Sequence, residues 1–253
     1  MINARARSSC DCPWSVASLP DARYALVTGA TRGIGRAVAQ ALRESGVEVA
    51  LVARTREQLE QVARDLGGTA FAADVTDAQQ VAQLSEQLRA QYGDDPDIIV
   101  NAAGAFDLAS VAETDVAMFD AMIAANLRAP FLLMRAFLPR MLERGSGDIV
   151  SIGSVAGRQA FAGNGAYSAS KFGLRALHEV LEQELRGSGV RAMLVEPSAT
   201  DTTLWDAVDR DRNPGLPQRE QMLSPDAVAQ AVVFALQQPR GVTVKYLGIE
   251  RST

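Results

Sequence analysis

From Arg23 onward the chain alternates between two patterns. Short, nearly continuous apolar runs give way to longer stretches in which apolar residues recur every three or four positions. The runs read as strands and the stretches as amphipathic helices. Strands are expected at Tyr24-Ala-Leu-Val-Thr28, Val47 to Ala53, Thr69 to Ala73, Asp97 to Asn101, Asp148 to Ile152, Val190 to Glu196 and Val242 to Ile249. Between them, helices are expected over Arg36 to Glu44, Thr55 to Leu66, Asp77 to Tyr92 and Thr114 to Glu143. A further helix carries Tyr167 and stops at Gly187 or Gly189, and a last one spans Asp226 to Gln238. The boundaries carry their own signals: Thr55 as an N-cap, glycines 67 and 68 as a stop, and Ser224-Pro225 as a start. Residues 203 to 222, with Pro214, Gly215 and Pro217, read as an irregular loop suited to covering a substrate.

Strand and helix thus alternate from end to end, and the strands lack the polar alternation of a sheet with one wet face. That pattern predicts an α/β fold: a single Rossmann-type, doubly wound parallel sheet of about seven strands with helices on both faces. Residues 21–253 form that domain, and residues 1–20 read as a disordered N-terminal arm. The chain of 253 residues is long enough for one sizeable core, with 47% hydrophobic and 22% charged residues. A net charge of −5 argues against nucleic acid as the main partner. Cys10 and Cys12, both in the arm, suggest neither a disulfide framework nor a metal site. No run approaches 18 consecutive apolar residues and the arm is a poor secretory signal, so a cytoplasmic protein with no membrane partner is expected.

In such sheets ligands bind beyond the carboxyl ends of the strands. Gly29-Ala-Thr31-Arg32-Gly33-Ile34-Gly35 follows the first strand and opens the first helix. Glycines there let the backbone approach a pyrophosphate, and the helix N-terminus offers free N–H groups and a positive dipole end. The spacing is G-x-x-x-G-x-G rather than G-x-G-x-x-G. At the end of the second strand an acidic residue would bond a ribose 2′-hydroxyl, whereas an arginine suits a 2′-phosphate. Arg54 stands there and Arg32 lies in the loop, which favours NADP over NAD.

Tyr167 and Lys171 fall one helical turn apart on one face. Of 25 basic residues only Lys171 and Lys245 are lysines, so a lysine here departs from the habit of the chain. A neighbouring ammonium favours the phenolate, so the tyrosine pKa is expected to fall toward neutral, as suits a general acid/base. Taken alone, the pair reads first as an ordinary surface i, i+4 pair. Pro130 lacks the N–H that would bond the carbonyl of Asn126, so a kinked helix with that carbonyl free for a water is expected. Leu204, Trp205 and Leu216 read either as a lid or as an anchor for their loop. Phe106 and Phe161 read either as pocket walls or as core. The only histidine, His178, lies two turns past Lys171 and reads as a packing or surface residue.

Taken together, residues 22 to 250 resemble the short-chain dehydrogenase/reductase superfamily. Thr28 to Gly35 is similar to the cofactor loop, Asp74-Val75 to the pair that holds the adenine ring, and Asn101-Ala102-Ala103-Gly104 to the segment that supports the central sheet and lies against the cofactor. Asn126, Ser154, Tyr167 and Lys171 are similar to the catalytic tetrad, Tyr167 following Ser154 by thirteen residues. The resemblance implies that Tyr167 exchanges a proton with the substrate oxygen and Ser154 holds that oxygen. Lys171 would tune the phenol and bond the nicotinamide ribose, while Pro197, Thr200 and Thr202 line the cofactor. Hydride would pass between the nicotinamide and a carbonyl or alcohol carbon of a small molecule. A homodimer or homotetramer is implied by resemblance only. Two departures stand out: Ser198 where the family usually has glycine, and a C-terminal segment without the usual glycine-rich end. An alternative on the same fold is a non-enzymatic, NADP-binding redox sensor, although sensors often lose the Tyr or Lys that this chain keeps. An isomerase or dehydratase reusing the site is a third reading, for which residues 203 to 222 provide too small a substrate region.

Overall fold

The computed structural model describes Leu19, residues 24–208 and residues 215–252. The arm and the central part of the substrate loop therefore lie outside the described residues. Leu19 does not: it packs against the core, and its N–H donates to Ser45 O at 3.4 Å.

Seven parallel strands form one sheet in the order β3-β2-β1-β4-β5-β6-β7. They are β1 (Tyr24–Thr28), β2 (Glu48–Ala53), β3 (Thr69–Ala72), β4 (Ile98–Asn101), β5 (Gly147–Ile152), β6 (Val190–Pro197) and β7 (Tyr246–Ile249). Neighbouring residues of one strand enter different core layers. Ala25 and Val27 of β1 join Ala37, Val38, Leu42 and Val228 on one side. Tyr24 and Leu26 join Leu84, Leu133, Phe137 and Leu181 on the other. Covering both faces is what makes the strands read as unbroken apolar runs.

The first layer holds helices α1 (Gly33–Glu44), α2 (Arg56–Leu66) and α7 (Pro225–Leu236). The second holds α3 (Ala78–Tyr92), α5 (Ala129–Arg144) and α6 (Gly165–Glu184). Three starts are capped as their sequences suggest. Asp77 accepts from Gln79 N at 2.8 Å, Asp115 from Met118 N at 2.7 Å and Ser224 from Ala227 N at 3.1 Å. Thr55 occupies the N-cap of α2 but makes no side-chain capping bond.

Other expectations are corrected. Helix α1 begins inside the glycine loop at Gly33, not at Arg36. The stretch expected as one helix from Thr114 to Glu143 is α4 (Val116–Ile123), a π-helical turn over Ala124–Arg128, and α5. Pro130 cannot satisfy the Asn126 carbonyl, and the wider turn just before it accommodates the lost bond. Helix α6 ends at Glu184, before the glycines. Residues 203 to 222 contain two short 3-10 helices, Thr203–Ala207 and Arg219–Gln221. β7 starts at Tyr246 rather than Val242, whose carbonyl is bonded by Arg191 Nη1 at 3.2 Å instead of by a strand neighbour. That arginine also makes a buried bidentate pair with Asp148 at 2.6 and 3.0 Å. It thereby ties the starts of β5 and β6 to the end of α7.

By length and composition, Val116–Arg144 is long and apolar enough to cross a membrane. Leu133, Phe137 and Met141 of this stretch are buried in the second core layer, whereas Val116, Phe119, Phe131 and Leu142 are exposed.

Candidate active site

The strand order reverses direction between β1 and β4, and the chain leaves both strands there to form a cleft. Thr28 fixes the cleft floor. Its hydroxyl donates to Val100 O at 3.3 Å and accepts from Ala102 N and Ala103 N, both at 3.1 Å. The glycine loop lies close upon this floor. A Cβ on Gly29 would come within 2.9 Å of Ala102 O, and Gly29 has φ +66°, so it needs glycine on both counts. A Cβ on Gly35 would lie 2.3 Å from Gly29 O. Arg32, at the N-cap of α1, makes no side-chain capping bond, so the first N–H groups of that helix remain available to a ligand.

One half of the cleft, about 510 Å³, is lined by Gly29, Thr31, Arg32, Gly33, Ile34, Gly35, Arg54, Asp74, Val75, Ala102, Ala103, Gly104 and Thr202. Arg32 and Arg54 are exposed, and among the described residues neither has an ionic partner; Arg36, by contrast, pairs with Asp65 at 3.6 Å. Asp74 is held by the N–H and hydroxyl of Thr76, at 2.9 and 2.7 Å. The adjoining half, about 690 Å³, brings together Asn126, Ser154, Tyr167, Lys171, Pro197, Thr200 and Thr202. Ile34, Ala102, Ala103, Gly104 and Thr202 line both halves. Asn101 is the exception among the expected site residues. It is buried beneath the cleft, its Nδ2 donating to Ser151 Oγ at 3.1 Å. The free backbone N–H groups, the close-packed glycines and the two unpaired guanidiniums fit a phosphorylated dinucleotide.

The four catalytic candidates are held by three elements. Ser154 leaves the end of β5 and caps a 3-10 turn, accepting from Ala156 N at 3.1 Å. Tyr167 and Lys171 lie on α6, with Lys171 Nζ 5.6 Å from the phenol ring centroid and bonded to Ile152 O at 2.8 Å. Asn126, in the π turn, clasps the loop after β4. Its Oδ1 accepts from Ala105 N and its Nδ2 donates to Ala105 O, both at 2.9 Å. The same Nδ2 reaches Ser170 Oγ at 3.0 Å, and Ser170 in turn donates to Tyr167 O at 2.7 Å. Gly104 must lack a side chain, because a Cβ there would stand 2.8 Å from Asn126 Oδ1.

The electrostatics correct one expectation. The Tyr167 pKa is raised, not lowered: burial outweighs the hydrogen bond with Ser154 that pulls it down. Burial also lowers Lys171, from 10.5 to about 8. Desolvation penalises the charged form of each group, and each is set in the same enclosed wall. The depressed lysine has a consequence for stability. Between pH 8 and pH 10.5 the unfolded chain holds a proton that the folded chain has lost, so this group makes stability rise with pH across that window. Below pH 8 the folded state carries the cost of the buried ammonium, about 3 kcal/mol at 1.36 kcal/mol per pKa unit. Lys171→Met should therefore be more stable than the parent at pH 7, and the difference should shrink toward pH 10. Urea unfolding of both proteins at the two pH values measures it; a difference independent of pH would contradict this account.

Several residues of the site were not legible in the sequence, one of them, Ser170, fully buried behind the cavity wall. Ser170 sits within the Tyr167–Lys171 segment, and its spacing of three from Tyr167 was the available signal. Asn164, whose Oδ1 is buried without a partner, and Gln159 and Glu250 reach the cavity only through the folded loops. Of the residues left open, Phe106, Phe161, Leu204, Trp205 and Leu216 all line the cavity, and Ser198 lines it too. His178 is a packing residue, 1% exposed, with Nε2 at 3.1 Å from Lys245 O.

Comparison with known proteins agrees with this geometry. Residues 23–213 match the family model for short chain dehydrogenase. An uncharacterised oxidoreductase of Staphylococcus saprophyticus is 35% identical over 228 residues, covering 88% of this chain and 94% of that protein. Among solved structures, a metagenomic short-chain oxidoreductase in complex with NADP is 33% identical, with a TM-score of 0.78. The match covers 94% of this chain and all of that one. The closed form of a serine dehydrogenase complexed with NADP+ is 29% identical, with a TM-score of 0.84, covering 89% of this chain and 94% of that one. The chain belongs to the short-chain dehydrogenase/reductase superfamily, whose oxidoreductases use a nicotinamide cofactor.

Proposed function

We propose that this protein is an NADP-dependent oxidoreductase that interconverts a carbonyl and a secondary alcohol, with Tyr167 as general acid/base. The observation that carries this reading is the meeting of Ser154, Tyr167 and Lys171 in a cavity continuous with the glycine-loop cleft. When bound, the nicotinamide supplies or accepts the hydride. Tyr167 holds the proton at its phenol oxygen, and a raised pKa keeps it in the protonated form that reduction of a carbonyl requires. Ser154, hydrogen-bonded with that phenol, fixes the substrate oxygen beside it. Lys171 places its ammonium along the same face and binds the cofactor ribose. Asn126 keeps the loop after β4 and the Tyr167 turn in register through Ala105 and Ser170.

Arg54 and Arg32 take the 2′-phosphate of NADP, supported by the NADP-bound relatives. A charge-assisted hydrogen bond contributes about 1.5–3 kcal/mol, so Arg54→Asp should raise the KM for NADPH by about tenfold to a hundredfold. NADH should be affected little or improved. Steady-state kinetics with both cofactors decides this, and an unchanged NADPH/NADH ratio would discredit the assignment. Residues 21–253 act as one domain and work in the cytoplasm. Exposed Val116 and Phe119 on α4, and Phe172 and Val180 on α6, support a homodimer or homotetramer. The activity is tested by following NADPH absorbance with a panel of aldehydes and ketones. Tight NADPH binding with no turnover across the panel would favour a redox-sensing regulator instead.

A further inference from the structure

The reacting groups occupy one side of the 690 Å³ cavity, and the rest of its wall has a distinct chemistry. Phe106, Leu108, Phe161, Leu204, Trp205 and Leu216 line it. Phe106 links the phenol to this wall. Its ring meets that of Tyr167 edge-on at 4.9 Å between centroids, and that of Trp205 at 4.8 Å. Trp205 spends its indole N–H within the protein, donating to Thr200 O at 3.0 Å, so its polar edge is already satisfied. Phe161 is 43% exposed, a large apolar ring left facing space at this wall.

The charged groups in the lining are few. Among the described residues they are Lys171, which is bonded to Ile152 O and already used by the proposed mechanism, and Glu250. Glu250 is paired with Arg158, so the cavity side of that ion pair is a carboxylate. Among the described lining residues, a substrate bearing its own carboxylate would meet an acidic neighbour and an apolar wall, with Lys171 the one cation and that already bonded to Ile152 O. Burying an unpaired carboxylate is costly, whereas an aryl group gains from both area and ring contacts.

We infer that the substrate is an uncharged carbonyl compound bearing an aromatic ring, packed against Phe106 and Trp205, and that a carboxylate beside its carbonyl is rejected. This rests on the proposed function for which atom reacts, and on the cavity wall for which compound binds. Methyl benzoylformate and benzoylformate share one skeleton and differ in charge, so they separate the two effects. Titration calorimetry of each into wild-type protein saturated with NADP+ should give a Kd at least about tenfold lower for the ester, the cost of desolvating an unpaired anion. Phe106→Leu should weaken ester binding by about tenfold, from the lost ring contacts and area, with NADP+ affinity unchanged. Benzoylformate binding as tightly as the ester would overturn the inference. So would unchanged ester affinity in Phe106→Leu, or failure of wild type to bind either compound. The same ester, incubated with NADPH, tests the oxidoreductase reading separately. An ester that binds and is not reduced would sink that reading while leaving the assignment of the cavity intact.

Discussion

Tyr167→Phe should lower kcat by about 10³-fold while leaving the Kd for NADPH within about twofold of wild type. General acid/base catalysis by a positioned side chain contributes about 10²–10⁴ in rate, and this change removes the one atom that carries the proton. It leaves the rest of the local structure alone. The ring is retained, so the edge-on contact with Phe106 at 4.9 Å survives. So does the bond from Ser170 to the Tyr167 carbonyl, which is a backbone acceptor. The hydroxyl lost is the one that hydrogen-bonds with Ser154. A phenylalanine is also easily accommodated where burial already disfavours the phenolate, so no loss of stability should mask the kinetic effect. Turnover by stopped or steady-state assay, with NADPH binding by fluorescence, separates the two quantities. Retained turnover would remove Tyr167 from the chemistry.

Gly35→Ala should cost about 3–5 kcal/mol of stability, in the range reached by forced backbone displacement, and should weaken NADPH binding by at least about a hundredfold. The new Cβ would stand 2.3 Å from Gly29 O, 2.7 Å from Gly29 C and 3.0 Å from Thr28 O. These are backbone atoms of the turn itself, so no side chain can swing away to make room. Either α1 moves off the end of β1 or the turn deforms. Both outcomes spoil the alignment of helix N–H groups with the cleft. Thermal unfolding should shift down by about 10 °C for a domain of this size. The companion change Gly46→Ala meets no atom within 4 Å, so it separates local crowding from the general cost of replacing a glycine. Gly46 does have φ +84°, so its own moderate penalty comes from backbone conformation alone. An unfolding temperature for Gly35→Ala within 2 °C or so of wild type would contradict the close packing described here.

The parts of this protein that could be read from its sequence are those where chemistry demands a residue type at a fixed offset from a strand end. Gly29, Gly33 and Gly35 follow β1 at once, Arg54 follows β2, Asp74 follows β3 and Ser154 follows β5. Each offset is local, so the sequence carries it. The parallel sheet was legible for a similar reason, since strands buried on both faces leave unbroken apolar runs. What was not legible depended on distant packing. The Tyr167 pKa turned on burial, which outweighs the bond with Ser154, and burial is a property of the whole wall. Pro130 announced a disruption at Asn126, but not the form it took, a π turn over Ala124–Arg128. Val242 to Val244 is rich in β-branched residues and reads as strand. In the fold, pairing with β6 begins at Leu194 opposite Tyr246, and Val242 O is committed to Arg191. Asn101 supports the sheet as its segment suggests, but it is buried beneath the cleft and bonded to Ser151 rather than lining the cofactor's cleft, which a motif alone does not distinguish.

The central claim is that hydride passes between a bound nicotinamide and a carbon held at Ser154 and Tyr167. The most direct measurement is mass-spectrometric tracing of deuterium from NADPH labelled at nicotinamide C4, with wild-type protein and an aryl ketone or α-keto ester. The account predicts one deuterium on the new carbinol carbon from one C4 epimer of the cofactor and none from the other, with the signal lost in Tyr167→Phe. NADPH bound tightly with no deuterium delivered to any carbonyl, or delivery undiminished in Tyr167→Phe, would contradict it.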